Sequence, residues 1–160
     1  MRPLYPDEYL AIDIEWSRPS SYERVRARGH ELDRVAQLYL ITAKASFSRA
    51  KSLYVGKTYR QTVSTRLAQQ DHQARYAAFK KHYPRHRFLI SLGVVTLLEG
   101  RLTAGRLGEL EKILIYANDP EHAFNVQNFY EHGVKGSYEV VNHGHRAGLP
   151  KAIMLGVFAE

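Results

Sequence analysis

The chain has 160 residues, of which 44% are hydrophobic and 24% charged, and it carries a net charge of +7 with a pI of about 9.7. This profile is typical of one globular domain with a polyanionic partner, and nucleic acid is the first candidate. The absence of cysteine excludes disulfides and thiolate catalysis, and the absence of a signal peptide or a run of about 18 apolar residues predicts a cytoplasmic protein without a membrane span.

The first predicted elements are a short strand and a surface helix. Residues 9–14 form an apolar, partly β-branched stretch that predicts a leading strand. The serines that follow Pro19 are typical of a turn that ends in an N-cap. The charged segment from Ser21 to about Arg28 is therefore predicted to be helical.

The next elements are two strands that form a hairpin. Residues 38–42 and 53–56 are apolar, β-branched and aromatic, whereas residues 43–52 are small and basic and suit a loop. Two strands joined by one loop predict an antiparallel pair. Such a pair could bring Tyr39 and Tyr54 to one face, about 5 Å apart at the backbone.

The middle of the chain predicts a helix, a buried strand and a second helix. Apolar side chains recur at helical spacing in residues 61–82 and a proline follows, so one long helix is expected. Residues 87–98 are almost continuously apolar, which predicts a central strand buried on both faces. Residues 103–117 carry an apolar stripe at helical spacing, and Asp119-Pro120 ends this helix.

The last stretch of the chain returns to strand-like alternation. It alternates from Tyr138 to Val141, passes through the sequence NHGH and ends in another apolar segment. The complete order of elements predicts an α+β fold with a small central antiparallel sheet flanked by helices.

An ordered set of polar and aromatic residues runs through these elements. It consists of Tyr39, Tyr54-Val55-Gly56-Lys57-Thr58, Arg66, Glu111 directly before an apolar run, and Asn125. This set resembles the GIY-YIG nuclease superfamily, whose pattern is a Gly-Ile-Tyr strand, a Tyr-Ile-Gly strand often followed by lysine, a helical arginine, a helical glutamate and a terminal asparagine. The resemblance covers about residues 37–126. It implies one domain over 1–160, with a nuclease-like core at about 35–128 and elaborations at both termini.

The chain departs from the family pattern at three positions. Gln37 stands where the first motif has glycine, so the backbone there lacks the freedom of glycine. Arg66 comes later than is usual, which leaves Arg60 as an alternative. Gln70 stands where many members have His or Tyr one turn after the arginine. His72 is nearby, but along one continuous helix it would lie on a different face from Arg66.

The resemblance implies the chemistry of phosphodiester hydrolysis, which needs an activated water and a cation beside the phosphoryl oxygens. Glu111 would bind Mg²⁺ or Mn²⁺, since one carboxylate with several waters suits such an ion. Glu109 is the alternative carboxylate. Arg66 would hold a phosphate bidentately.

The same resemblance implies roles for the remaining residues of the set. Tyr39 would be the general base or would orient the attacking water, and Tyr54 would support the water or the scissile phosphate. A phenol has a pKa near 10, so neighbouring cations such as Lys57 would have to assist. Asn125, with Asn128 as its alternative, would hold the site through hydrogen bonds.

Further basic residues suit contacts with a phosphate backbone. A basic cluster with an interleaved tyrosine follows the long predicted helix, and the NHGH segment forms a second, weaker candidate. The predicted nucleic-acid-binding residues are Lys57, Arg60, Lys80, Lys81, Arg85, Arg87, His143, His145 and Arg146.

Together, these observations predict a metal-dependent endonuclease that hydrolyses phosphodiester bonds in DNA. Two forms are open: a compact restriction-type enzyme, expected to be a homodimer because it cuts both strands, and a nicking or repair enzyme. The loop at 43–52 and the segments 1–30 and 132–160 would supply target recognition. The alternative is a nucleic-acid-binding module of the same fold without catalysis, which the glutamines at 37 and 70 motivate. A protein-interaction domain is the third class.

Overall fold

The computed structural model describes residues 9–118, 134 and 136–155. These residues form seven strands and four helices, which confirms the predicted α+β class. The strands are β1 (Leu10–Trp16), β2 (Ser20–Ser21), β3 (Leu38–Lys44), β4 (Lys51–Lys57), β5 (Arg87–Leu97), β6 (Tyr138–Gly144) and β7 (Ala152–Leu155). The helices are α1 (Tyr22–Arg28), α2 (Val63–Leu67), α3 (Gln70–His82) and α4 (Ala104–Ala117).

The strands of the described residues form one sheet in the order β4-β3-β5-β1-β6-β7, with the short β2 paired to β5. The prediction of a purely antiparallel sheet is wrong, because β1 and β6 pair in parallel. Parallel neighbours need a long crossover connection, and more than 100 residues separate these two strands in the chain. The predicted central strand is confirmed: β5 lies between β3 and β1.

The predicted hairpin is also confirmed, with longer strands than expected. β3 and β4 pair antiparallel, and Tyr39 lies opposite Gly56. The register shifts between Ile41 and Thr42, so a bulge bends the pair. Because the strands extend to Lys44 and from Lys51, the predicted loop at 43–52 shortens to residues 45–50.

The prediction of one long helix over 61–82 is wrong, because the segment contains the two helices α2 and α3. Thr62 caps α2 by accepting a hydrogen bond from the Thr65 amide. Gln69 then adopts an extended conformation with ψ of 151°, and α3 begins at the next residue. Apolar spacing predicted the helical residues correctly but carried no information about this interruption.

The two faces of the sheet are covered by different helices. On one face α4 packs its apolar stripe against β1, β3 and β4; this core includes Leu107, Leu110, Leu114, Ile14, Leu38, Leu40 and Val55. The other face is covered by α1, α2 and α3; this core includes Val25, Leu67, Tyr76, Phe79, Tyr39, Ile41 and Ile90. Since side chains alternate along a strand, neighbouring residues of β3 enter opposite cores.

Side chains cap two of the predicted helices, and of these caps only Ser21 was predicted. Ser21 accepts a hydrogen bond from the Arg24 amide at the start of α1, and Thr103 accepts one from the Arg106 amide at the start of α4. The predicted break at Asp119-Pro120 lies outside the described residues. Within the described part of the chain, no helix combines the length and apolar character needed to cross a membrane.

Candidate active site

Two tyrosines and a histidine form a packed aromatic group at one end of the β3–β4 hairpin. The rings of Tyr39 and Tyr54 stack with centroids 6.0 Å apart, and the His72 ring meets both at their edges. The Tyr39 hydroxyl lies 2.8 Å from His72 Nε2. All three side chains are buried. The hairpin therefore brings the two phenols to one face, as its pairing predicts.

The glycine of the Tyr-Val-Gly sequence makes this arrangement sterically feasible. The Tyr39 ring lies directly over Gly56, its neighbour across the hairpin. A Cβ atom at position 56 would stand 2.3 Å from both Cζ and the hydroxyl oxygen of Tyr39. The close approach of a ring to the backbone thus requires glycine here.

Glu111 lies on α4, which covers the opposite face of the sheet, and its charge acts on both tyrosines. Its carboxylate is buried, and Oε2 lies 3.0 Å from Lys57 Nζ. Burial is the largest cause that raises the pKa of Tyr54, and the negative charge of Glu111 raises this pKa further. The same charge also adds to the raised pKa of Tyr39. The alternative carboxylate, Glu109, instead accepts a hydrogen bond from Tyr138. Of the two acids, Glu111 is the one whose charge acts on both tyrosines.

Two arginines add positive charge to the group. The Arg66 guanidinium donates to both oxygens of Asp71 at 3.0 and 2.9 Å, and this pairing lowers the pKa of the Asp71 carboxyl. The Arg75 guanidinium lies 4.3 Å from the centre of the Tyr54 ring. The alternative arginine, Arg60, is in the loop before α2 and stacks on Tyr59.

The protonation states of Tyr39 and His72 follow from their burial. Burial, followed by the neighbouring Tyr54, raises the pKa of Tyr39 well above 10, so the phenol is neutral at neutral pH. Burial and the charges of Arg66 and Arg75 lower the pKa of His72 to about 4. We therefore assign Tyr39 as the donor and His72 Nε2 as the acceptor of their hydrogen bond.

His72 is a member of the group that sequence reasoning missed. The prediction that it lies on a different face from Arg66 is wrong, because it assumed one continuous helix. The interruption before Gln70 resets the helical spacing and turns His72 towards Tyr39. Arg75 was also not singled out; its position one turn after His72 is the signal that identifies it once α3 is known.

A hydrated divalent cation is the cofactor that the resemblance implies. Among the described residues, no three His, Asp or Glu side chains are close enough to hold a metal together. Glu111 supplies one buried carboxylate, which pairs with Lys57, and the hydroxyls of Tyr39 and Tyr54 are neutral, so the donors of this set are oxygens. Mg²⁺ prefers oxygen ligands and retains several waters, so one carboxylate is compatible with its binding.

The family resemblance also concerns Gln37, which stands at the glycine position of the first motif, and the asparagine at its end. Gln37 has ordinary roles at the start of the hairpin: its backbone oxygen accepts from Thr58 N and its side-chain oxygen accepts from Val95 N. Its backbone has no positive φ angle, so a glycine is not required there. Asn125 and its alternative Asn128 lie outside the described residues.

The predicted nucleic-acid-binding residues fall into separate regions. Lys57 pairs with Glu111, and the cluster of Lys80, Lys81, Arg85 and Arg87 spans the end of α3 and the start of β5. His143, His145 and Arg146 lie instead at the end of β6, which is four strands from β4 and therefore about 19 Å away. His143 there pairs with Asp13 at 3.0 Å.

The charge of the chain is concentrated on the side of the molecule that carries the tyrosine group. Residues 34–98 contain twelve Lys and Arg but only one acid, whereas the rest of the chain has eleven basic and fifteen acidic residues. The single acid is Asp71, which is already paired with Arg66. These residues form β3, β4, α2, α3 and β5, so one half of the sheet and two helices form a strongly basic half of the molecule.

Comparison of the chain with models of protein families, with curated protein sequences and with solved structures gives no significant match.

Proposed function

We propose that this protein is a metal-dependent endonuclease of the GIY-YIG type that hydrolyses phosphodiester bonds in DNA. The observation that carries the proposal is that Tyr39 and Tyr54 stack together and feel the charges of Arg66 on α2 and of Glu111 on α4, which pairs with Lys57. Such a convergence of phenols, cations and one carboxylate suits phosphoryl-transfer chemistry better than it suits a hydrophobic core. The basic half of the molecule around it supports a polyanionic substrate.

Two ion pairs provide the positions that a phosphate would occupy. Asp71 and Lys57 are half exposed, with side-chain exposures of 50% and 40%, so both pairs can exchange partners with solvent or substrate. A scissile phosphate would replace Asp71 at the Arg66 guanidinium, whose fork matches two phosphoryl oxygens. Lys57 would then swing from Glu111 towards the phosphate, which frees the carboxylate for Mg²⁺ or Mn²⁺.

Tyr39 and Tyr54 would position the attacking water. The attacking water would donate a hydrogen bond to the Tyr39 oxygen while Tyr39 keeps its own proton in the hydrogen bond to His72 Nε2, and the proton that the water loses would pass to solvent. The hydroxide attacks phosphorus, the bond to the leaving oxygen breaks on the opposite side, and that oxygen takes up a proton from a solvent water. A cation held by Glu111 would supply positive charge beside the phosphoryl oxygens. In this scheme Tyr54 orients the water, and His72 acts through Tyr39.

A nucleic-acid-binding module without catalysis is the second candidate, and one observation favours it. Tyr39 and His72 are buried, and Glu111 is neutralised by Lys57, so the group is compact before any substrate binds. Such a module would bind DNA without metal and leave it intact. Within the nuclease proposal, a restriction-type homodimer would cut both strands at one site, and a repair enzyme would nick one.

The test is cleavage of supercoiled plasmid and of genomic DNA with Mg²⁺ or Mn²⁺. We expect Tyr39→Phe and Glu111→Gln each to lower the cleavage rate by about a hundredfold, because each removes a group that acts on the reacting atoms. Glu109→Gln is the matched control, since its carboxylate lies on the same helix and bonds to Tyr138 instead. This control should cleave at the wild-type rate.

The outcomes separate the two candidate functions. Metal-dependent cutting that is lost in Glu111→Gln and kept in Glu109→Gln supports the nuclease, and the band pattern distinguishes nicking from site-specific double cleavage. Intact DNA with both metals, together with a salt-dependent gel shift, overturns the nuclease in favour of the binding module. Equal cutting by Glu111→Gln and wild type would show that the activity arises elsewhere.

A further inference from the structure

The turn between β3 and β4 presents an aromatic side chain to solvent. The Ser48 amide donates to the Ala45 carbonyl at 3.4 Å, which closes a turn with Phe47 at its tip. Phe47 is 105% exposed, whereas the next most exposed large apolar side chain of the described residues, Leu98, is 71% exposed. A phenylalanine at the tip of a paired hairpin contributes nothing to the core, so its place there needs another explanation.

The surroundings of Phe47 are uniformly basic. Lys44, Arg49 and Lys51 lie within four residues of it, and Arg87 lies opposite Lys44 in the sheet. The end of α3 adjoins the hairpin through an aromatic contact: Lys51 Nζ lies 5.7 Å from the centre of the ring of the tyrosine that follows this helix. The hairpin tip thus combines one apolar ring with cations on two neighbouring elements.

This combination fits nucleic acid better than a protein surface. A protein partner is usually recognised by a contiguous apolar patch, and Phe47 is the only large exposed apolar side chain in its turn. In nucleic acid the cations contact phosphates while an apolar ring enters between bases and partly unstacks them. The single acid of residues 34–98, Asp71, lies at the opposite end of α3 and does not offset these cations.

The position of the tip relative to the candidate active site suits one continuous DNA substrate. Lys44 lies five positions after Tyr39 in β3, a distance of about 17 Å along the strand. At 3.4 Å per base step, this corresponds to about five nucleotides. The tip can therefore engage DNA a few nucleotides from a phosphate bound at Arg66.

We propose that Phe47 is a wedge that stacks on an unpaired or mispaired base, so that the protein prefers DNA with a local distortion over perfectly paired duplex. The choice of DNA as partner rests on the proposed function, but the stacking does not depend on catalysis. Flanking cations hold the backbone on both sides of the ring. Distorted DNA is favoured because its bases are already partly unstacked and the wedge costs less to insert.

The test uses Phe47→Trp as a fluorescent reporter. The chain has one natural tryptophan, Trp16, which is buried, so emission at long wavelength and its quenching by iodide report on position 47. The variant is titrated in EDTA, where no cleavage occurs, with a duplex carrying a single-base bulge and with the fully paired duplex. We expect the bulged duplex to quench the long-wavelength emission and to bind about tenfold more tightly, as one base–aromatic stack predicts.

A companion measurement uses Phe47→Ala. This variant should lose about tenfold in affinity for the bulged duplex, with less than about a twofold change for paired duplex, because the phosphate contacts remain. Met154→Ala is the matched control: Met154 is an exposed apolar residue on the opposite edge strand, and both affinities should stay at wild-type values. Circular dichroism checks that each variant is folded.

The outcomes distinguish this inference from the proposed function. The wedge proposal is overturned if the bulged and the paired duplex bind with equal affinity. It is also overturned if neither duplex quenches the emission from position 47. A blue shift with anionic vesicles and no response to DNA overturns it in favour of a lipid surface. Quenching by the bulged duplex in a protein that cuts no DNA with any metal keeps the wedge and overturns the nuclease alone.

Discussion

Replacing Gly56 by alanine is expected to lower the free energy of unfolding by about 3 kcal/mol, the upper part of the usual range for overpacking a core. The new methyl group would stand 2.3 Å from Cζ and the hydroxyl oxygen of Tyr39. Tyr39 has no room to move, since it is fully buried and contacts Tyr54 and His72. Urea denaturation followed by circular dichroism measures the effect.

A control and a double-mutant cycle test the cause. Gly148→Ala should change stability by less than about 0.5 kcal/mol, because a Cβ there meets nothing within 4 Å. In a Tyr39→Leu background the ring is absent, so Gly56→Ala should cost much less than it does in wild type. An equal cost in both backgrounds would show that the close approach of Tyr39 is not the reason for glycine at position 56.

The second large effect is a loss of stability in mild acid that originates at His72. The pKa of His72 is about 4 in the folded protein, against about 6.5 when unfolded. As the pH falls below about 6.5, the unfolded chain takes up a proton that the folded protein does not. The free energy of unfolding therefore decreases between pH 6.5 and pH 4, by about 3 kcal/mol from this group alone.

Urea denaturation of wild type and His72→Gln at several pH values between 7.5 and 4 isolates this contribution. Glutamine retains an acceptor for the Tyr39 hydroxyl but does not titrate, so the two stability profiles should converge by about 3 kcal/mol as the pH falls. Parallel profiles for wild type and His72→Gln would contradict a buried neutral imidazole.

Much of the architecture follows from local features of the sequence. The strand-like segments at 38–42 and 53–56 pair as predicted, because two apolar stretches joined by a short loop have few other ways to bury their backbone polar groups. The helix at 103–117 is also confirmed, since its capping threonine and apolar stripe are both local signals. Composition likewise indicated the positive net charge of the chain. The basic residues of 34–98 form one basic half of the molecule only because these residues form one half of the sheet.

Other features depended on contacts between distant segments. The parallel pairing of β1 with β6 joins residues more than 100 positions apart, and no local pattern encodes such a partner. Whether Glu109 or Glu111 pairs with Lys57 depends on how α4 is rotated against the sheet, and the two acids are only two residues apart. Hydrophobic periodicity defines the apolar face of a helix, but it does not determine which contacts the polar side chains beside that face make.

His72 is the clearest example of a residue whose contacts could not be predicted from the sequence. By itself, the sequence determined which segments form helices and strands, which residues form the apolar cores and which chemically distinctive residues occur in order. The tertiary structure decided that the helix is interrupted before Gln70 and that His72 consequently bonds to Tyr39. The physical reason is that secondary structure follows from local spacing, whereas the direction of a side chain depends on how each element packs against residues far away in the chain.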